Sequence, residues 1–250
     1  MITTVRFIRR DPSLSAEAFK WQYLATQGSM WAQLAKFTPL AGVAASFVGP
    51  DQIQSYRDDR GVPPVPVDFD AIEQLSFATL SDLREFVATG ALLQVAEQER
   101  GLIDEPTTAV RSVGHQEAVA ARAEPSHDRP TRLKTCLTVH RRADQDLYQF
   151  RDHWMTHHRI LEEVAVKMGA LYRIHVAFSL GQRVELRADG AALVPEDGFD
   201  AFMDMYALPG TDLVAAYEVP LAPEVLRDED NFINRDIPSR RAIMHEYSIV

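Results

Sequence analysis

Between residues 146 and 168, Leu147, Phe150, Trp154, Leu161, Val164 and Met168 recur on a polar background at steps of three, four and seven. That period predicts one amphipathic helix. KTCLTVH (134–140) before it and YRIHVAFSL (172–180) after it are rich in β-formers and read as strands. In FDAFMDMYA (199–207), Phe199, Ala201, Met203 and Met205 alternate with Asp200, Phe202, Asp204 and Tyr206, the period of a strand. LPGTDLVAAYEV (208–219) opens a short helix, and RAIMHEYSIV (241–250) closes the series as a strand.

The same pattern occurs earlier in the chain. VRFIRRDPSLSAEAFKWQYL near the start parallels LTVHRRADQDLYQFRDHWM, each a β-like run ending in an arginine pair, then a polar turn and an amphipathic segment beginning at Phe19 or Phe150. DFDAIEQLSF (68–77) and GFDAFMDMYA (198–207) share a Phe-Asp-Ala triplet, at nearly equal distance from Phe19 and Phe150. Two copies of one module follow, 1–117 and 134–250, joined by an Ala-, Arg- and Pro-rich linker at 118–133. Each copy reads β-α-β-β-α-β, the ferredoxin-like split βαβ. The expected fold is α+β, with each sheet's bare face covered by the other copy.

Composition narrows the function. The chain has 250 residues, 46% hydrophobic and 25% charged, enough for a real core. Its formal net charge of −10, with basic residues clustered only in pairs, argues against nucleic acid. No run is long and apolar enough to cross a membrane, the N-terminus lacks a signal-peptide core, and the single cysteine, Cys136, allows no intrachain disulfide. The expectation is a soluble cytoplasmic protein. Cys136 reads as a small buried hydrophobe. Motifs for nicotinamide, flavin or nucleotide binding are missing, as are a nucleophile elbow and a Cys-x-x-Cys pair, so no cofactor is expected.

The run FRDHWMTHH (150–158) resembles the Phe-Arg-x-x-Trp-x-x-x-His signature of EthD-type domains in the dimeric α/β-barrel superfamily. YRIHV (172–176), GFDAFMDMY (198–206) and DEDNF (228–232) are similar to later landmarks of that family, so the match spans 134–250. Asp104-Glu105 is the expected first-copy counterpart of Asp228-Glu229. The resemblance implies a barrel formed within one chain, with chemistry on small aromatic or phenolic compounds by cofactor-free oxygenases, decarboxylases, dehydratases or cyclases. The first copy carries Tyr23 for Trp154 and Gln27 for His158, so one working site is expected, in the second copy.

Three histidines surround Trp154. His153 and His157 lie one helical turn apart, a spacing that could hold a metal, but no third ligand is evident and no metal is expected. Projected at about 100° per residue, the apolar stripe centres near Leu161 and Phe150, His157 and His158 flank it, and His153 faces outward. His158 at the rim of an apolar pocket is therefore the expected acid/base group. His175, Asp200 and Tyr206 are expected to orient it or serve a developing oxyanion. Trp154, His157, His140, His245 and Phe202 are expected to bind substrate. A cofactor-free lyase acting on an aromatic or phenolic molecule is the primary expectation, with a cofactor-free monooxygenase and a non-catalytic binding protein as alternatives. The chain could further pair as a homodimer.

Overall fold

The computed structural model describes residues 1–52, 67–104, 111–123, 131–187, 190–196, 198–218 and 223–250. Eight strands close a barrel in which every pairing is antiparallel. They are β1 (Ile2–Ile8), β2 (Gly42–Val48), β3 (Ala71–Phe77), β4 (Arg111–Ala121), β5 (Thr131–Val139), β6 (Leu171–Arg187), β8 (Ala201–Ala207) and β9 (Arg241–Ser248). β7 (Gly190–Pro195) lies outside the circle, paired to the far end of β6. The order is β4-β1-β3-β2-β9-β5-β8-β6, and β6 returns to β4. Each half thus has its fourth, first, third and second strands in line, and two seams, β2–β9 and β4–β6, join the halves.

Alternation sorts the side chains into two layers. Val5, Ile72, Cys136, Ala177, Phe202, Ala242 and Met244 pack inside the barrel, with Phe7 and Phe199 beside them. The opposite faces pack under helices: Ile2, Val43, Leu75 and Phe77 in the first half, Leu137, Val139, Val176, Phe178 and Met203 in the second. The helices of the first half are α1 (Ala16–Leu34), α2 (Leu80–Ala88) and α3 (Ala91–Gln98). Those of the second are α4 (Leu147–His153), α5 (Arg159–Met168), α6 (Leu213–Glu218) and α7 (Pro223–Glu229).

Two expectations change here. The stretch read as a linker is partly strand: 118–121 finish β4 and 131–133 begin β5, with 124–130 outside the described residues. The segment 146–168 is not one α-helix, because a π-helical turn (Trp154–His158) separates α4 from α5. Its buried residues Phe150, Trp154, His158, Glu162 and Val166 follow one another at steps of four. A regular α-helix rotates such a row off its face by roughly 40° per step, and the wider π turn takes up part of that drift. The shift explains why the projected stripe fails beyond Trp154: Val164 faces solvent, Leu161 is only half-buried, and Glu162 is buried instead.

Candidate functional site

The π turn and α5 build a polar cluster between helix and sheet in the second half. His158 is 4% exposed, its ring edge-on to Trp154 at 5.4 Å and against Phe232 at 5.2 Å. Its Nδ1 lies 2.8 Å from Asp228 Oδ2 on α7. An aspartate carboxylate only accepts, so the hydrogen is assigned to Nδ1 and Nε2 is left bare. Nε2 faces Glu162 Oε1 at 3.9 Å. Glu162 is 6% exposed, and its other oxygen accepts from Trp154 Nε1 at 3.1 Å.

Burial sets the charge state of both groups. It lowers the imidazole pKa of His158, opposed by Asp228, so the ring is a neutral base at neutral pH. Burial pushes the Glu162 carboxyl up to about 8, with Glu229 adding to the rise and the Trp154 bond opposing it. Glu162 therefore holds a proton at neutral pH, assigned to Oε1 because Oε2 is the acceptor for the indole. The cluster thus sets a bare imidazole nitrogen beside a protonated carboxyl.

The two flanking histidines exchange the places expected of them. His153 stacks on Phe232 at 4.6 Å and reaches Asp228 Oδ1 at 3.1 Å, whereas His157 is exposed, its ring 5.0 Å from that of His153. The π turn is the cause. Among the described residues no three His, Cys, Asp or Glu side chains converge as metal ligands.

His175 and Tyr206 do come together, but inside the barrel rather than beside His158. Tyr206 donates to Glu246 Oε2 at 3.0 Å, and its ring is 5.7 Å from that of His175. Lys134, fully buried, lies 2.7 Å from Asp204 Oδ1, 2.8 Å from Glu246 Oε2 and 2.9 Å from Gln74 Oε1. Gln74 in turn donates to Asp204 Oδ2 at 2.9 Å, and Gln116 meets His175 Nδ1 at 3.0 Å, so this network ties the halves together. Burial, with Arg173 nearby, lowers the pKa of His175 to about 4, which keeps it neutral.

The other expected residues scatter. Asp200 accepts from the Arg141 backbone at 2.8 Å and pairs with the Arg141 guanidinium. Asp70 does the same with Arg10, the amide at 2.9 Å, so the shared triplet holds a strand end. Phe202 belongs to the apolar interior, 6.1 Å from Phe7. His245 is exposed on the opposite face of β9 from Glu246, and His140 directly follows β5, its carbonyl accepting from Asn234. Cys136 packs 3.4 Å from Met244 Sδ, and burial pushes its thiol up to about 12, so it is no thiolate at neutral pH.

Sequence reasoning missed a second buried cluster, in the first half. Glu73 accepts from Tyr23 at 2.5 Å and Trp31 at 2.8 Å, and pairs with Arg111. Arg6 forms a two-pronged bond to Glu99, both contacts 2.7 Å, and approaches Glu73 at 3.8 Å. The backbone also corrects the expected counterparts. Arg10 bridges Ile103 as Arg141 bridges Ile233, which sets Gln98-Glu99, not Asp104-Glu105, opposite Asp228-Glu229. Glu105 lies outside the described residues.

No family model and no curated relative matches the chain. Solved structures do. A proposed monooxygenase from Fusobacterium nucleatum has a TM-score of 0.53 at 7% identity, covering 100% of this chain and 92% of that one. An anthrone oxidase-like protein has a TM-score of 0.52 at 9% identity, covering 99% and 93%. A dye-decolorizing peroxidase from Bacteroides thetaiotaomicron has a TM-score of 0.55 at 10% identity, covering 99% and 93%. At these identities the likeness is one of fold, the α+β arrangement with a closed eight-stranded antiparallel barrel.

Proposed function

We propose that this chain is an enzyme in which His158 removes a proton from a small aromatic or phenolic molecule, and that dioxygen then oxidises the resulting carbanion. The carrying observation is the His158–Asp228 pair, 2.8 Å apart, with a bare Nε2 in an apolar setting of Trp154 and Phe232. Such an imidazole is oriented and neutral, as a general base must be. Structures alike in fold, one described as a proposed monooxygenase and one as an anthrone oxidase-like protein, favour the oxidative outcome over the lyase first expected. In a net reaction of this type a CH2 group becomes C=O, and the second oxygen atom leaves as water with the two hydrogens.

We read the halves as two copies of an EthD-type βαββαβ unit, in which only the second keeps the base. The matching strand orders and the matching Arg10–Ile103 and Arg141–Ile233 bridges support this. Among the described residues no helix is long and apolar enough to cross a membrane.

The test is incubation with anthrone, a cyclic ketone whose enol is a phenol, under 18O-labelled dioxygen. The expected result is one labelled oxygen in the product, and none when His158→Gln replaces the wild type. Product formed without oxygen uptake would replace the oxidase reading with a lyase or isomerase. Binding without turnover would replace it with a ligand carrier.

A further inference from the structure

His158 has a neighbour whose chemistry the base alone does not use. Glu162 sits one turn further along the same row, its Oε2 occupied by Trp154 and its Oε1 turned toward His158 Nε2 at 3.9 Å. That separation is too long for a hydrogen bond between them and short enough for one ligand to touch both. An atom about 2.8 Å from each fits the triangle.

We propose that Glu162 is a second catalytic residue, the acid that protonates the substrate's oxygen while His158 takes the proton from carbon, and that the substrate is an enolisable carbonyl compound. This rests on the reading of His158 as base and narrows the substrate to molecules carrying C–H next to C=O. The step balances within the site. The C–H bond breaks and its proton goes to His158 Nε2. The freed pair forms C=C, and the carbonyl oxygen takes the proton from Glu162 Oε1. An imidazolium and a carboxylate remain on either side of the enol, and its hydroxyl relays the return proton, accepting from His158 Nε2 and donating to Glu162 Oε1, which restores the site. No oxidant enters this step, so it precedes oxidation.

The surroundings suit a carboxyl that keeps its proton. Glu229 on α7 adds negative charge, Asp228 and Asp230 act on Glu229 in turn, and the cations beside it are Arg235, which pairs with Glu229, and Arg241 on β9. On the preceding turns His158 faces the carboxyl at 3.9 Å and His153 lies beyond it, while Arg151, Asp152, His157 and Arg159 are exposed. The strands beneath contribute Val119, Ile174 and Val176 to the same cluster, all apolar.

Two measurements test this. The first follows the Trp154 indole N–H resonance, identified by its loss in Trp154→Phe, from pH 4 to pH 10 without ligand. A transition near pH 8 that vanishes in Glu162→Gln is expected. A transition in the ordinary carboxylate range, or none, overturns the assignment of Glu162 as an acid. The second is deuterium uptake at the acidic carbon of anthrone in D2O without oxygen. Glu162→Gln, which preserves the acceptor for Trp154, is expected to lower kcat about 100-fold with little change in KM and to remove the alkaline limb of the rate profile. Exchange at the wild-type rate and profile in Glu162→Gln overturns it. Failure of the wild type itself to exchange, with the indole transition present, would strike the parent reading of His158 and leave the protonated Glu162 standing.

Discussion

The same layer, helix over sheet, is built twice in this chain and completed in opposite ways. In the first half, Tyr23, Trp31, Arg6, Arg111 and Glu99 gather around Glu73, so the acidic and basic groups close on one another. In the second half, register sets Leu137 where Arg6 stands and Met203 where Glu73 stands. Helix position sets Glu162 where Trp31 stands and His158 where Gln27 stands. At those two sheet positions the second half is apolar, and the polar groups sit on the helix and α7 with two valences left toward each other. A buried network whose members satisfy one another is structural. One with a bare nitrogen and a spare proton can react.

The largest effect expected from breaking this contrast is on stability in the first half. Glu73→Ala leaves Arg6 and Arg111 short of their buried counter-charge, and should cost about 3–5 kcal/mol of unfolding free energy. Urea titration measures it, and the exchange rate per folded molecule should not change. Next comes activity in the second half. Asp228→Asn removes the charge and one of the two oxygens that His153 and His158 share, so the His158 tautomer is no longer fixed, and turnover should fall on the order of 100-fold while the melting temperature moves little; steady-state kinetics beside thermal unfolding will show it.

A subtler difference lies in pH dependence. The folded-state pKa of Glu162 is raised to about 8 from an ordinary 4.5. A raised pKa means the folded state holds the proton more tightly, so its contribution is full below pH 4.5 and is lost as pH rises through 8. Wild type should therefore lose up to about 1.4 kcal/mol per pH unit across that window relative to Glu162→Gln. Parallel denaturation at pH 5, 6.5 and 8 checks this. Smallest, and a control on the symmetry, are Asp70→Asn and Asp200→Asn. Each loosens a part-exposed arginine pair of the same geometry, and each should cost about 1 kcal/mol, alike in both halves.

How far these halves could be read from sequence follows from what periodicity records. The alternation in 201–207 gave the correct faces, with Met203 toward the helices and Asp204 and Tyr206 inward. His158 and Trp154 were legible from helical spacing, as was the difference at Gln27. The π turn was not, because it inserts a change of phase without a special residue type. Hence His157 was placed too deep and His153 too far out. Nor were Arg6, Glu73, Lys134 and Glu246 legible as buried charges. Their strands are covered on both faces, so a polar residue at an inward position looks like one at an outward position. Their partners are remote in the chain, as Arg6 is from Glu99. Asp228 was noticed as a landmark, but its bond to His158 depends on α7 returning over the helix.

On the proposed function, chemistry belongs to the second half and support to the first. The most direct test of this division compares deuterium exchange into anthrone for wild type, His158→Gln and Gln27→Ala, all checked for native circular dichroism. His158→Gln installs the residue that the first half uses at this position. Exchange should fall at least 100-fold in His158→Gln and stay within about twofold in Gln27→Ala. Exchange that survives in His158→Gln, or collapses in a folded Gln27→Ala, would contradict it.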